Sequence, residues 1–246
     1  MSPELQVLTA IRTWARQEVQ DDAADLHSLS QQSITNICRR VATALANRSS
    51  RFIYMPRNIY EQQEVMREFR AICGFKHTPI FHKPLGILFN KRASSDAKLK
   101  IRDIVARWRG SAHDSRIFNE SRLKERLESD ALTSYLFTPV NNTTTQSEEA
   151  YNRAHIMTRN TVERCFGLWK NRFRCLLSGF TVKQENAKLY IVALAVLHNI
   201  AVNMGEQVEG IEVLDPDTDL PNLPSLSPQQ NSYEPKTRRN FILRYF

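Results

Sequence analysis

The sequence predicts an α+β fold dominated by helix: a helical, helix-turn-helix-like region first, then a mixed domain that is itself rich in helix. Three observations carry this. Apolar residues recur at helical spacing through residues 4–50 and again through two long segments after residue 150. Strand-like runs are few and short, at 85–89 and within 99–107. The 246 residues, 41% of them hydrophobic, suffice for one sizeable core or for one domain with a small appendage.

In the first helix Leu5, Leu8, Ile11 and Ala15 repeat with helical period, and a second short helix fits 19–27. Leu29-Ser30-Gln31-Gln32 is a turn, with Ser30 or Gln31 preceding a third helix. That helix carries Ile34, Ile37, Val41 and Leu45 on its buried face, and Gln32, Thr35, Asn36, Arg39 and Arg40 elsewhere. Helix, short turn, then a helix opening on polar and basic residues is the helix-turn-helix pattern. In that reading the polar residues reach base edges while Arg39, Arg40 and Arg48 neutralise phosphates. An ordinary helical bundle with a solvated face fits the same pattern.

Residues 58–74 read as a charged helix, and Pro79, Pro84 and Gly86 break the stretch 75–98. Residues 99–107 contain a strand, Trp108-Arg109-Gly110-Ser111 turns the chain, and a helix covers about 114–127. A polar loop at 139–149 leads into a long helix over 151–177, then another over 182–204. The acidic, proline-containing stretch 205–236 has too little apolar material to offset its ordering entropy, so disorder is expected there. The end, 237–246, holds Phe241, Ile242, Leu243, Tyr245 and Phe246 and could dock back as a short helix. The expected organisation is therefore 1–74, 75–204, 205–236 and 237–246.

Charge points to a polyanion partner. The chain carries +8 overall, but residues 206–236 hold seven acids and one base, which leaves +14 for the remainder. Gly-rich phosphate loops are not expected from 7 glycines without a G-x-G-x-x-G or Walker run. Cys38, Cys73, Cys165 and Cys175 form no C-x-x-C pair or zinc-ligand spacing, so reduced intracellular thiols are expected. There is no signal-peptide pattern, and the longest apolar stretch, near 190–197, is too short for a membrane span. A nuclear or cytoplasmic protein is expected.

Two segments could carry chemistry. On the helix after Asn160, taking ~100° per residue, Val162, Phe166, Trp169, Phe173 and Leu177 form one stripe. Glu163, Gly167, Lys170 and Arg174 form a second, roughly a quarter turn away. Glu163 is either an intrahelical ion-pair partner or a metal ligand at the edge of a basic row that includes Lys170, Arg172 and Arg174. In Gly110–Phe118, Asp114 follows a strand and a tight turn; it either joins a site at a sheet edge or caps the next helix, as Ser111 could. His113 is a candidate general base or a structural hydrogen-bonding group.

Trp108-Arg109-Gly110-Ser111-Ala112-His113-Asp114-Ser115-Arg116-Ile117-Phe118 resembles the W-P-G-S-x-H-D-S-x-I-F motif of PIF/Harbinger DDE transposases. Tyr151–His155 with Arg159–Leu176 resembles that family's last motif, and Leu197-His198-Asn199 its closing helix. The N-terminal helices resemble its helix-turn-helix region, and 238–246 its C-terminal end. The resemblance implies an RNase H-like nuclease domain, here incomplete, in which three carboxylates hold two Mg²⁺ or Mn²⁺ ions for cleavage of DNA phosphodiester bonds. By it, Asp114 is the second acid and Glu163 the third, both catalytic and metal-binding, and the basic row holds phosphates. DNA is the implied substrate, and a separate Myb-like DNA-binding protein an implied partner.

The pattern is incomplete in one respect that matters. The first acidic ligand of the family is not found: 75–95 contains no Asp or Glu, and Asp96 belongs to a later C-D-A-x-L-like stretch. Arg109 stands where the family has proline, and the segment before Ala131 is shortened. Loss of a metal carboxylate cripples two-ion catalysis. A non-catalytic DNA-binding or partner-binding module is therefore the alternative expectation.

Overall fold

The computed structural model describes residues 1–16, 30–73, 92–105, 140, 142–180, 182–206, 239 and 242–243. Within them the chain is mostly helical with one two-stranded antiparallel sheet, an α+β arrangement.

Helix α1 (Pro3–Ala15) starts where Ser2 accepts a hydrogen bond from the Leu5 N–H and proline occupies the first helical position. It buries Thr9, Ala10 and Trp14. Helix α2 (Gln31–Ala46) is capped by Ser30, which accepts from the Ser33 N–H at 3.2 Å. As the sequence pattern predicts, Ile34, Ile37 and Val41 are buried and Leu45 packs against the core, joined there by Cys38 and Ala42. The expected short helix at 19–27 lies outside the described residues. A 3-10 turn (Ser49–Arg51) leads toward helix α3 (Ile59–Cys73). The N-terminus of α3 is fixed by Asn58, which accepts from the Glu61 N–H at 2.9 Å.

Strands β1 (Arg92–Ser95) and β2 (Ile101–Val105) pair with Ala93 opposite Ile104 and Ser95 opposite Ile101, with a bulge between Ser94 and Ser95. β2 falls within the strand expected at 99–107. β1 carries no β-branched or aromatic residue and takes its conformation from pairing with β2. The strand expected at 85–89 and the helix expected at 114–127 lie outside the described residues.

Helix α4 (Gln146–Arg172) begins inside the stretch expected to be loop, because Thr145 and Glu148 close a capping box there. It ends at Arg172, not near 177, and a short helix α5 (Cys175–Ser178) follows. That break moves the last residue of the predicted apolar stripe: Val162, Phe166, Trp169 and Phe173 are buried, but Leu177 is exposed and Leu176 takes its place. Helix α6 (Gln184–Asn203) is buried along most of its length, including Tyr190, Ile191 and 193–196.

One hydrophobic cluster joins α1, α2, β2, α4, α5 and α6, from Ala10, Trp14 and Ile34 to Trp169, Leu176 and Leu194, while α3 packs against α4. Helix α2 packs against both α1 and α6, so the first helices share their core with the last. The boundaries expected at 74/75 and 236/237 fall outside the described residues, as does nearly all of the acidic stretch. Near the C-terminus Ile242 is buried.

Candidate functional site

The turn between β1 and β2 is held from both sides by polar side chains. Asp96 is fully buried, and its Oδ1 accepts the Lys100 N–H at 2.9 Å. Its Oδ2 accepts from Arg102 Nε at 2.7 Å. Both carboxylate oxygens are thus used inside the hairpin. Leu99 sits in the left-handed region at φ 63°, a conformation that costs a residue other than glycine about 1–2 kcal/mol. The strain is offset at its carbonyl, which accepts from His198 Nε2 at 2.8 Å and from the Cys165 thiol at 3.1 Å.

Helix α6 supplies the second anchor. Asn199 Oδ1 accepts the Ile101 N–H at 2.8 Å, while its Nδ2 donates to the carbonyls of Ile101 at 2.7 Å and Phe52 at 2.8 Å. His198 and Asn199 therefore fasten the hairpin to α6, and Asn199 reaches the loop after α2 as well. Two polar residues within the apolar run of α6 were the sequence signal for this clamp, since buried polar groups need partners.

The electrostatics of the clamp are those of a dry interior. Burial pulls the His198 imidazole down to about 4, opposed by its bond to the Leu99 carbonyl and aided by the Arg172 cation. The ring is neutral at pH 7, with Nε2 donating to Leu99. Its Nδ1 then accepts from Arg172 Nη1 at 2.9 Å. Burial also pushes the Cys165 thiol up to about 12, so it is no nucleophile.

A different kind of surface lies on the far side of α2. Arg39, Arg40, Thr43, Ala44, Asn47 and Arg48 line one shallow, solvent-open face. Arg39, Arg40 and Arg48 are all exposed, while Ile37, Cys38 and Val41 of the same helix are buried in the core. Helical period separates the two faces cleanly.

The other sequence-predicted residues are distributed as follows. Asp114 and His113 lie outside the described residues. Glu163 is exposed on α4, about 200° round the helix from Cys165, which faces the hairpin. Lys170 is half-buried and Arg174 exposed. Arg172 is turned inward: besides His198 it meets Glu206, with Nε and Oε2 3.4 Å apart. Burial lowers the Arg172 guanidinium from its ordinary value. Among the described residues no three His, Cys, Asp or Glu side chains converge as a metal site. No helix among them is long and apolar enough to cross a membrane.

Comparison with known proteins bears on the same segments. Residues 89–199 match the sequence profile of a family described as DDE superfamily endonuclease. The human protein named "Putative nuclease HARBI1" is 27% identical over 243 aligned positions, which cover 85% of this chain and 70% of the relative. Its counterpart in Bos taurus is 26% identical over 251 positions, covering 88% and 72%. The Xenopus laevis protein of that name is 24% identical, covering 100% of this chain and 81% of its own length. That last alignment runs to 290 positions against the 246 residues here, so the relative carries internal segments that this chain lacks. No solved structure matches the chain.

Proposed function

We propose that this chain, a homologue of the Harbinger transposase-derived nucleases with a DDE superfamily endonuclease domain at residues 89–199, acts as a DNA-binding protein whose cleavage chemistry is impaired. The observation that carries the reading is the exposed face of α2, where Arg39, Arg40 and Arg48 stand together beside Thr43 and Asn47. Guanidinium groups on one helix face neutralise successive phosphates, and the Asn47 amide adds a hydrogen-bond donor, while the Thr43 hydroxyl is spent on the Arg39 carbonyl at 2.8 Å. The packing of α1 against α2 supports a helix-turn-helix reading of this region, and descent supports an RNase H-like reading of the remainder. A nuclear location and a separate Myb-like DNA-binding partner belong to the same proposal.

The described residues do not fit a two-metal centre. Mg²⁺ and Mn²⁺ need several oxygen ligands at one point. Asp96 commits both its oxygens to Lys100 and Arg102, and Glu163 is exposed on α4 about 200° round the helix from Cys165, which faces the hairpin. The second reading, metal-dependent cleavage through Asp114 and Glu163, is favoured by the family match and the motif around Asp114.

The test is salt-dependent binding to duplex DNA. Wild-type protein should lose affinity steeply as salt rises, and the triple variant Arg39→Ala, Arg40→Ala, Arg48→Ala should lower the slope of log K on log salt by up to about 0.9 per phosphate contact removed. Glu163→Ala should leave binding intact. Affinity that ignores salt, or a triple variant indistinguishable from wild type, would refute the reading.

A further inference from the structure

We infer that the DNA-contacting surface continues from α2 onto the 49–57 loop, where Arg51 and Arg57 take further phosphates of the same duplex. The inference rests on the α2 reading and extends it.

The loop gathers its cations around one turn. Arg51 ends the 3-10 turn that follows Arg48, and its N–H bonds to the Arg48 carbonyl at 3.0 Å. Arg57 lies six residues further on, but its guanidinium folds back to the same turn: Nη2 donates to the Ser50 carbonyl at 3.3 Å. The guanidinium carbon is 4.9 Å from the centre of the Tyr54 ring, a cation–π distance. Arg51 and Arg57 are both exposed. The nearby acid, Glu61, is occupied elsewhere: it accepts the Arg57 backbone N–H at 2.9 Å and the Asn58 amide at 3.2 Å. Among the described residues, the Arg57 side chain makes no ion pair.

Two features suit this cluster to a ligand. A free arginine gives up about 2 kcal/mol of rotamer entropy when it is fixed. The Ser50 carbonyl and the Tyr54 ring have already restricted Arg57, so less is lost on binding. The loop itself is also tied down, since Phe52 accepts from Asn199 and the Arg102 guanidinium lies 5.5 Å from the Tyr54 ring centre. The ring is thus taken up by guanidinium groups and is not offered to an unstacked base. That favours a duplex, with its phosphates outside, over a single strand bound by stacking.

The experiment is fluorescence anisotropy of the full chain with a labelled duplex across a salt series, with thermal melts to show that each variant folds. Arg57→Ala should bind several-fold more weakly at fixed salt, with the slope of log K on log salt lowered by about 0.9. Arg57→Lys should keep the slope. Arg57→Ala with wild-type affinity and slope, beside an Arg39→Ala, Arg40→Ala, Arg48→Ala variant that is weakened, overturns the loop and spares the α2 reading. Two variants that both bind as wild type overturn both.

Discussion

Asn199 brackets Ile101: one side-chain amide accepts the Ile101 N–H at 2.8 Å and returns a hydrogen bond to the Ile101 carbonyl at 2.7 Å. It does for the outer edge of β2 what a neighbouring strand would do, within the described residues. The same amide donates to Phe52, in the loop after α2. The first helices, the hairpin and the last helix thus meet at one side chain, and β2 leads directly toward the segment that contains Asp114.

Asn199 should therefore be a stability hot point. It is buried, and Asn199→Ala strands the Ile101 N–H and two carbonyls. A stranded buried group costs about 1–3 kcal/mol, so a loss of about 3 kcal/mol or more is expected in urea unfolding. Asn199→Asp should be no better, because a carboxylate can accept from Ile101 but would face both carbonyls with negative charge. A wild-type urea midpoint for Asn199→Ala would show that the bracket contributes nothing.

His198 gives the protein a defined acid sensitivity. Its folded value of about 4 lies below the ordinary 6.5, so the unfolded chain takes up a proton first as pH falls. The stabilisation from keeping His198 neutral is complete above pH 6.5, declines as pH falls toward 4, and is gone below that. The full effect is on the order of 3 kcal/mol at most. His198→Gln removes the titration while keeping a donor for the Leu99 carbonyl. Its stability should change less than wild type between pH 7 and pH 4.5, read from denaturant midpoints at both. Parallel pH profiles for the two proteins would count against this account.

How much was legible in the sequence depends on what fixed each element. The buried face of α2 follows from period and capping, both local, and Ile34, Ile37 and Val41 lie where spacing put them. β1 was not legible, because Arg92-Ala93-Ser94-Ser95 has no intrinsic strand signal and depends on its partner. Leu177 shares the apolar stripe only in a helix that continues to 177; α4 stops at Arg172, the phase is lost and Leu177 is exposed. Arg172 read as one more cation in a basic row, whereas the turn at the end of α4 directs it to His198 and Glu206. The clamp itself was only half visible. His198 and Asn199 enter the sequence reading only through the Leu197-His198-Asn199 motif, and their partners are backbone groups some 98 and 99 residues away, which no local pattern identifies.

On cleavage, the family match and the geometry of the described residues pull apart. The match of residues 89–199 to a family described as DDE superfamily endonuclease, read with two-ion chemistry, predicts nicking of supercoiled DNA in Mg²⁺ or Mn²⁺. The described carboxylates argue the other way: Asp96 is spent on Arg102 and Lys100, and Glu163 is exposed on α4, about 200° round the helix from the face that meets the hairpin. A hard dication takes several oxygen ligands at one point, and among the described residues no three His, Cys, Asp or Glu side chains converge to supply them. The expected outcome is a plasmid left supercoiled in either metal at protein concentrations that saturate DNA binding. Nicking that needs metal and vanishes in both Asp114→Ala and Glu163→Ala would reverse the conclusion. It would mean that the two acids meet with a third ligand after all. Nicking that survives Glu163→Ala would instead point to a contaminating nuclease or to a different set of ligands, and Asp114→Ala alone would separate those two.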